Sequence, residues 1–141
     1  MIDISSLENA IKQLEISLSY TESDLAEKDG GIALQFRAAS IQAFEYTYEL
    51  AHKMLKRYLE DTEPSPDLIE SMTFQELIRT GAERGLLLNS WDIWKAYRKA
   101  RGSTSHTYNE DSAVSVFSNI PQFLEEVRFL RDQINTRQQA K

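Results

Sequence analysis

Apolar positions recur along this chain at alternating steps of three and four, the spacing that lays a stripe along one face of an α-helix. The first stripe is Ile4, Leu7, Ile11, Leu14, Leu18, Thr21 and Leu25, with Ser5 or Ser6 and Glu8 placed to start the helix. Asp29-Gly30-Gly31 interrupts it, and two adjacent glycines predict a helix stop and a turn. The second stripe is Leu34, Ile41, Phe44, Tyr48, Ala51, Leu55 and Tyr58, which predicts a helix over about residues 32–59, roughly 40 Å long. Two long helices joined by a short connection predict an antiparallel hairpin. Arg37 falls beside the second stripe, where a cation is expected to snorkel along the bundle edge or pair with a carboxylate of another helix.

The region near 60–72 contains Glu63-Pro64-Ser65-Pro66-Asp67 and predicts a surface loop within one domain. Ser71 or Thr73 then caps a third, shorter helix, with Glu76 three residues after the threonine. That helix carries Phe74, Leu77, Ile78 and Ala82 and ends at Gly85. Asn89 or Ser90 starts a fourth helix with Trp91, Trp94 and Tyr97 or Arg98 at helical spacing. Seven residues beyond Trp94, Arg101 leaves on the same side. Asp111 opens a fifth helix with the stripe Ala113, Phe117, Ile120, Leu124, Val127 and Ile134. Pro121 kinks it or divides it near Asn119, and residues 138–141 are a frayed tail. No alternating strand pattern competes. The expected architecture is an all-α single domain over residues 1–141: an up-down four-helix bundle with an additional short helix.

Composition narrows the class. In 141 residues, an apolar fraction of 41% and a charged fraction of 27% suit a globular domain with a core of its own. The absence of cysteine removes disulfides and thiolate metal sites and fits a reducing cytoplasm. No apolar run approaches the roughly 20 residues that span a bilayer, and Met1 to Leu7 lacks a signal-peptide pattern, so a cytoplasmic protein with no membrane attachment is expected. The net charge of −6 argues against a general nucleic-acid coat. The charge is uneven, however. Between Arg79 and His106 stand six basic residues (Arg79, Arg84, Lys95, Arg98, Lys99, Arg101) and two acidic ones (Glu83, Asp92). Such an island draws a phosphate chain locally, although Arg98 and Lys99 equally suit a solvated helix face.

Candidate chemistry gathers in Arg101-Gly102-Ser103-Thr104-Ser105-His106-Thr107-Tyr108, where a guanidinium, an imidazole and a phenol crowd together. A guanidinium grips phosphate with a planar fork of donors, and an imidazole exchanges protons near neutral pH. Other chemistries are poorly supported. His52 and His106, the only imidazoles, are far apart in sequence, and Glu125-Glu126 has no matching ligand box, so no metal and no cofactor are expected. Gly30-Gly31 lacks the strand and lysine of a phosphate loop, and no hydrolase elbow is present. His52 reads as structural or surface.

Arg101, four residues, His106, one residue and Tyr108 resemble the Arg-x4-His-x-Tyr motif of HEPN domains, small helical proteins of prokaryotic toxin systems. Phe44-Glu45-Tyr46-Thr47-Tyr48-Glu49-Leu50-Ala51, with Lys53 and Leu55-Lys56 after it, is similar to the long-helix signature of the HepT-like group. Thr104-Ser105-His106-Thr107-Tyr108-Asn109-Glu110 is similar as well. That group is also known as nucleotidyltransferase substrate-binding proteins, and the resemblance covers about residues 7–130. It implies a HEPN-like bundle that pairs as a homodimer with two motifs facing each other. It also implies a toxin acting as a metal-independent endoribonuclease, with RNA or a nucleotide as substrate. A cognate nucleotidyltransferase antitoxin would hold it in check by adenylylating Tyr108. On this resemblance Arg101 and His106 are the catalytic residues, Tyr108 is the modification site, and Arg98, Ser103, Thr104 and Ser105 bind substrate. The alternative is a non-catalytic substrate-binding subunit of a two-component nucleotidyltransferase. Two positions depart from the family pattern: Gly102 stands where a polar residue is usual, and His52 where tryptophan is common.

Overall fold

The computed structural model describes residues 1–140. The helices are α1 (Ser5–Thr21), α2 (Asp24–Lys28), α3 (Gly30–Thr62), α4 (Pro66–Glu70), α5 (Phe74–Glu83), α6 (Trp91–Gly102), α7 (Glu110–Ser118) and α8 (Ile120–Gln139). A single 3-10 turn, Thr104–His106, follows α6, and no strand occurs among the described residues.

Several predicted boundaries hold for the predicted reason. Thr73 Oγ1 accepts the Glu76 N–H and donates to the Glu76 carboxylate, so the start of α5 is capped as the spacing indicated. Gly85 follows the end of α5 with φ of 73°, a left-handed conformation that a side chain would strain. Pro121 lies in the first turn of α8 and divides it from α7 without kinking it.

Other boundaries moved. Gly30-Gly31 does not end a helix; the two glycines open α3. Asp29 is the reason, since its Oδ1 accepts the N–H groups of Gly31 (2.9 Å) and Ile32 (3.1 Å) and satisfies two donors of the first turn. The first helix stops at Thr21, and Ser23 caps the short α2, so Leu25 leaves the core stripe and is half exposed. The region near 60–72 is no continuous loop: α3 runs on to Thr62, and Pro66 starts α4, which buries Ile69. The tail is likewise tied down as far as it is described. Helix α8 continues to Gln139, and the Gln138 amide exchanges hydrogen bonds with both backbone groups of Ile2. Lys141 lies outside the described residues.

The relative directions of α1, α3, α6 and α8 follow from their cross-links. Along α1 and α3, Met1 pairs with Asp61, Thr47 reaches the Ala10 carbonyl and Tyr20 stacks on Phe36, so the two run antiparallel. Ile2 with Gln138 and Glu15 with Arg128 set α8 antiparallel to α1. Trp94 beside Tyr48, with Arg101 beside Glu45, sets α6 antiparallel to α3. The result is the expected up-down four-helix bundle, with α5 and α7 packed beside it. Its centre is an aromatic cluster of Phe44, Tyr48, Trp94, Tyr97 and Phe123, all buried.

One carboxyl is buried in this frame. Glu126, on α8, is wholly shielded and accepts hydrogen bonds from Leu88 N–H (2.6 Å), Asn89 N–H (3.3 Å) and the Asn89 side-chain amide (2.9 Å). It thereby ties the loop that leads into α6 to the bundle. Burial pushes its pKa above the ordinary carboxyl value, against the lowering effect of these hydrogen bonds. A carboxyl whose folded pKa is raised contributes stability that is complete at pH below the unfolded value and is lost as pH rises through the folded one. Glu126→Gln, which cannot ionise, should therefore flatten the dependence of stability on pH above about 4.5. Urea unfolding of both proteins between pH 4 and 8 reads this directly; parallel curves would contradict it.

Candidate functional site

Arg101 sits in the last turn of α6, one residue before the helix ends at Gly102. A methyl group added at Gly102 would meet open space, and the backbone there is helical. The turn beyond it is built by hydroxyl groups. Ser103 Oγ donates to the Lys99 carbonyl (3.1 Å), Thr104 Oγ1 to the Arg101 carbonyl (2.9 Å) and Thr107 Oγ1 to the Thr104 carbonyl (3.0 Å). The Lys99 carbonyl also accepts the Ser103 N–H (3.1 Å), so the hydroxyl bonds reinforce the end of the helix and the turn beyond it. The backbone then closes through His106 N–H to Ser103 O and Asn109 N–H to His106 O. Asn109 Oδ1 accepts the Ser112 N–H and caps α7. The sequence from Ser103 to Asn109 thus encodes one compact turn between two helices.

The three motif side chains have different surroundings. Arg101 lies on the Trp94 side of α6, as the spacing predicted, but Trp94 is buried whereas Arg101 is only partly covered. Its Nε–H donates to Glu49 Oε1 (2.9 Å), its Nη1 donates to Thr104 Oγ1 (3.2 Å), and Nη2 lies 3.6 Å from Glu45 Oε1. Both carboxylates come from α3, one helical turn apart. His106 is exposed, and its ring is 6.3 Å from that of Tyr108, centroid to centroid. Tyr108 is 88% exposed, more open than any other large apolar or aromatic side chain among the described residues. An unshielded phenol of this kind is accessible to an enzyme that modifies it.

The remaining predicted contacts divide. Ser105 is exposed on the turn. Ser103 borders a hollow of about 470 Å³ between α6 and α7, lined also by Lys99, Asp111, Ser112 and Ser115. Arg98 points elsewhere, its guanidinium 5.4 Å from the centre of the Phe74 ring in a cation–π contact. His52 packs edge-on against the same ring, and burial lowers its pKa, in keeping with a structural role. Arg37 pairs with a carboxylate, as its position on the stripe suggested. It makes a two-pronged bridge to Glu110, 2.8 Å at each prong, which fastens the start of α7 to α3. Glu45 and Glu49 lie outside the Arg-x4-His-x-Tyr motif; the signal available for them was their spacing of four on the helix that faces α6.

Among known proteins, a sequence profile of the family described as "Nucleotidyltransferase substrate binding protein like" matches residues 2–136. A curated relative from Haemophilus influenzae, named "Probable ribonuclease HepT", is 39% identical over 102 residues. The match covers 72% of this chain and 69% of that protein. A solved structure from the same organism, described as the fold of a substrate binding domain of a nucleotidyltransferase, superposes with a TM-score of 0.88 at 31% identity. It covers 94% of this chain and 99% of the other. Among the described residues, no helix is long and apolar enough to cross a membrane. With the bundle, the motif turn and these relatives in agreement, the chain belongs to the HepT-like family of nucleotidyltransferase substrate-binding proteins.

Proposed function

We infer that this protein is the toxin of a toxin–antitoxin pair, a metal-independent endoribonuclease of the cytoplasm restrained by a partner nucleotidyltransferase. The observation that carries the reading is Arg101 in the last turn of α6, followed within one short turn by the exposed His106 and Tyr108. The name of the Haemophilus relative supports the same class of activity.

RNA brings its own nucleophile, so the chemistry asked of the protein is modest. An imidazole accepts the proton of a ribose 2′-hydroxyl as that oxygen attacks the adjacent phosphorus. The bond from phosphorus to the 5′-oxygen breaks, and an imidazolium returns a proton to that oxygen. The products are a 2′,3′-cyclic phosphate and a free 5′-hydroxyl. The Arg101 guanidinium stabilises the charge that builds on the phosphorane oxygens. Two protomers with facing motifs supply one base and one acid at the same time. Ser103, Thr104 and Ser105 flank the strand.

Adenylylation of Tyr108 places a bulky anion two residues from His106, where it repels phosphate and fills the approach. Incubation with the cognate nucleotidyltransferase and ATP should add AMP to the Tyr108 peptide by mass and abolish cleavage. Tyr108→Phe should stay unmodified and keep cutting RNA in the presence of the partner. A Tyr108→Phe protein that the partner still silences would refute this mode of control.

The second reading, a non-catalytic substrate-binding subunit, is favoured by the descriptions of the family and of the solved relative. Under it, the purified chain binds the nucleotidyltransferase or a nucleotide while labelled RNA stays intact.

A further inference from the structure

Two carboxylates crowd the arginine that is to meet phosphate, and the ribonuclease chemistry makes no use of either. A guanidinium offers a side-on pair of donors, Nε and Nη2, and an end-on pair, Nη1 and Nη2. Here Glu49 takes the Nε–H at 2.9 Å, Glu45 stands 3.6 Å from Nη2, and Thr104 takes one Nη1 hydrogen at 3.2 Å. The side-on edge is therefore turned toward α3, and each terminal nitrogen keeps a hydrogen for an incoming anion. Thr104 is itself fixed, because its hydroxyl hydrogen is donated to the Arg101 carbonyl.

Resting on that reading, the geometry points to Glu49, assisted by Glu45, as a positioning residue that aims the end-on edge of Arg101 at the scissile phosphate. The pair is poorly suited to be a structural brace. Both carboxylates are substantially exposed, at 55% and 42%, and exposed ion pairs contribute little to stability. They also oppose RNA binding, since two negative charges beside the phosphate site raise the cost of bringing a polyanion there. A contact that adds little to stability and hinders substrate association is accounted for by orientation of the arginine. Glu49 touches no reacting atom and acts through Arg101 alone.

The two effects separate in kinetics. Glu49→Ala should lower kcat for a short RNA by about 10- to 100-fold, the cost of a misplaced group. The same change should leave RNA affinity equal or tighter and steepen its loss with salt. Glu49→Gln keeps an acceptor for the Nε–H and should recover most of kcat. An alanine variant that cleaves saturating RNA as fast as wild type would overturn the proposal, and so would a glutamine variant as slow as alanine. The clamp also has a readout that needs no RNA. In ¹⁵N–¹H spectra the Arg101 Nε–H should appear as a slowly exchanging resonance that vanishes in Glu49→Ala. Its absence from the wild type overturns the clamp, whatever the activity. If the wild type cuts no RNA, the ribonuclease reading fails, and this resonance alone decides whether Glu49 holds the arginine.

Discussion

His106→Ala should reduce RNA cleavage by about 10²- to 10⁴-fold, the usual contribution of one proton-transfer group, while leaving the bundle intact. The fold is insensitive because the His106 side chain is exposed and meets the rest of the turn through its backbone, whose N–H bonds to Ser103 and whose carbonyl accepts from Asn109. Circular dichroism and melting temperature should match the wild type. In cells the same substitution should turn a growth-arresting protein into a harmless one. Arg101→Lys is expected to fall nearly as far in cleavage. An ammonium cannot present two parallel donors to a phosphate while a third holds Glu49. Cleavage that persists in purified His106→Ala would remove the imidazole from the mechanism and leave the substrate-binding reading in possession.

Phe123→Ala should be the most damaging change to the fold, at about 3–5 kcal/mol, because it deletes a buried ring and leaves a cavity. The magnitude follows from where the ring sits. Its centroid lies 4.9 Å from Phe44, 5.2 Å from Tyr97 and 6.1 Å from both Tyr48 and Trp94, so it joins α8 to α3 and α6 at once. Neighbours from two other helices cannot all collapse into the vacated space. For a chain of this length the cost corresponds to a fall in melting temperature of roughly 10–15 °C. Phe123→Leu restores much of the volume and should cost about 1–2 kcal/mol. Thermal unfolding of the two variants tests the ranking, and a smaller loss for alanine than for leucine would show that the cluster is not the centre of the core.

The two predictions meet at α6. That helix carries Trp94 and Tyr97 into the cluster and Arg101 out to the motif turn. Loosening the core should therefore blur the site as well. Phe123→Leu, folded but less rigid, should lose some cleavage although Phe123 is wholly buried and His106 lies at the surface.

How much of this was legible in the chain itself depends on the range of the interaction concerned. Apolar spacing along the stripes apart from Leu25 and Leu34, the Thr73 cap, the left-handed Gly85 and the division at Pro121 are settled within one or two helical turns, and each appears where the residues indicated. The motif of Arg101, His106 and Tyr108 was equally readable, because its spacing is local and His106 is one of only two histidines in the chain. Local rules failed where a neighbour supplied a partner that residue type does not announce. Gly30-Gly31 opens a helix because Asp29 caps it.

What only the tertiary structure decided are pairings between residues far apart in the chain. Glu126 is buried against Leu88 and Asn89, Arg37 is fastened to Glu110, and Arg101 is held by Glu49 across 52 positions. An acidic residue on a helix reads alike whether it faces water or an arginine. Which of the two it meets is set by the rotation and register of packed helices, and those are fixed by the whole core together.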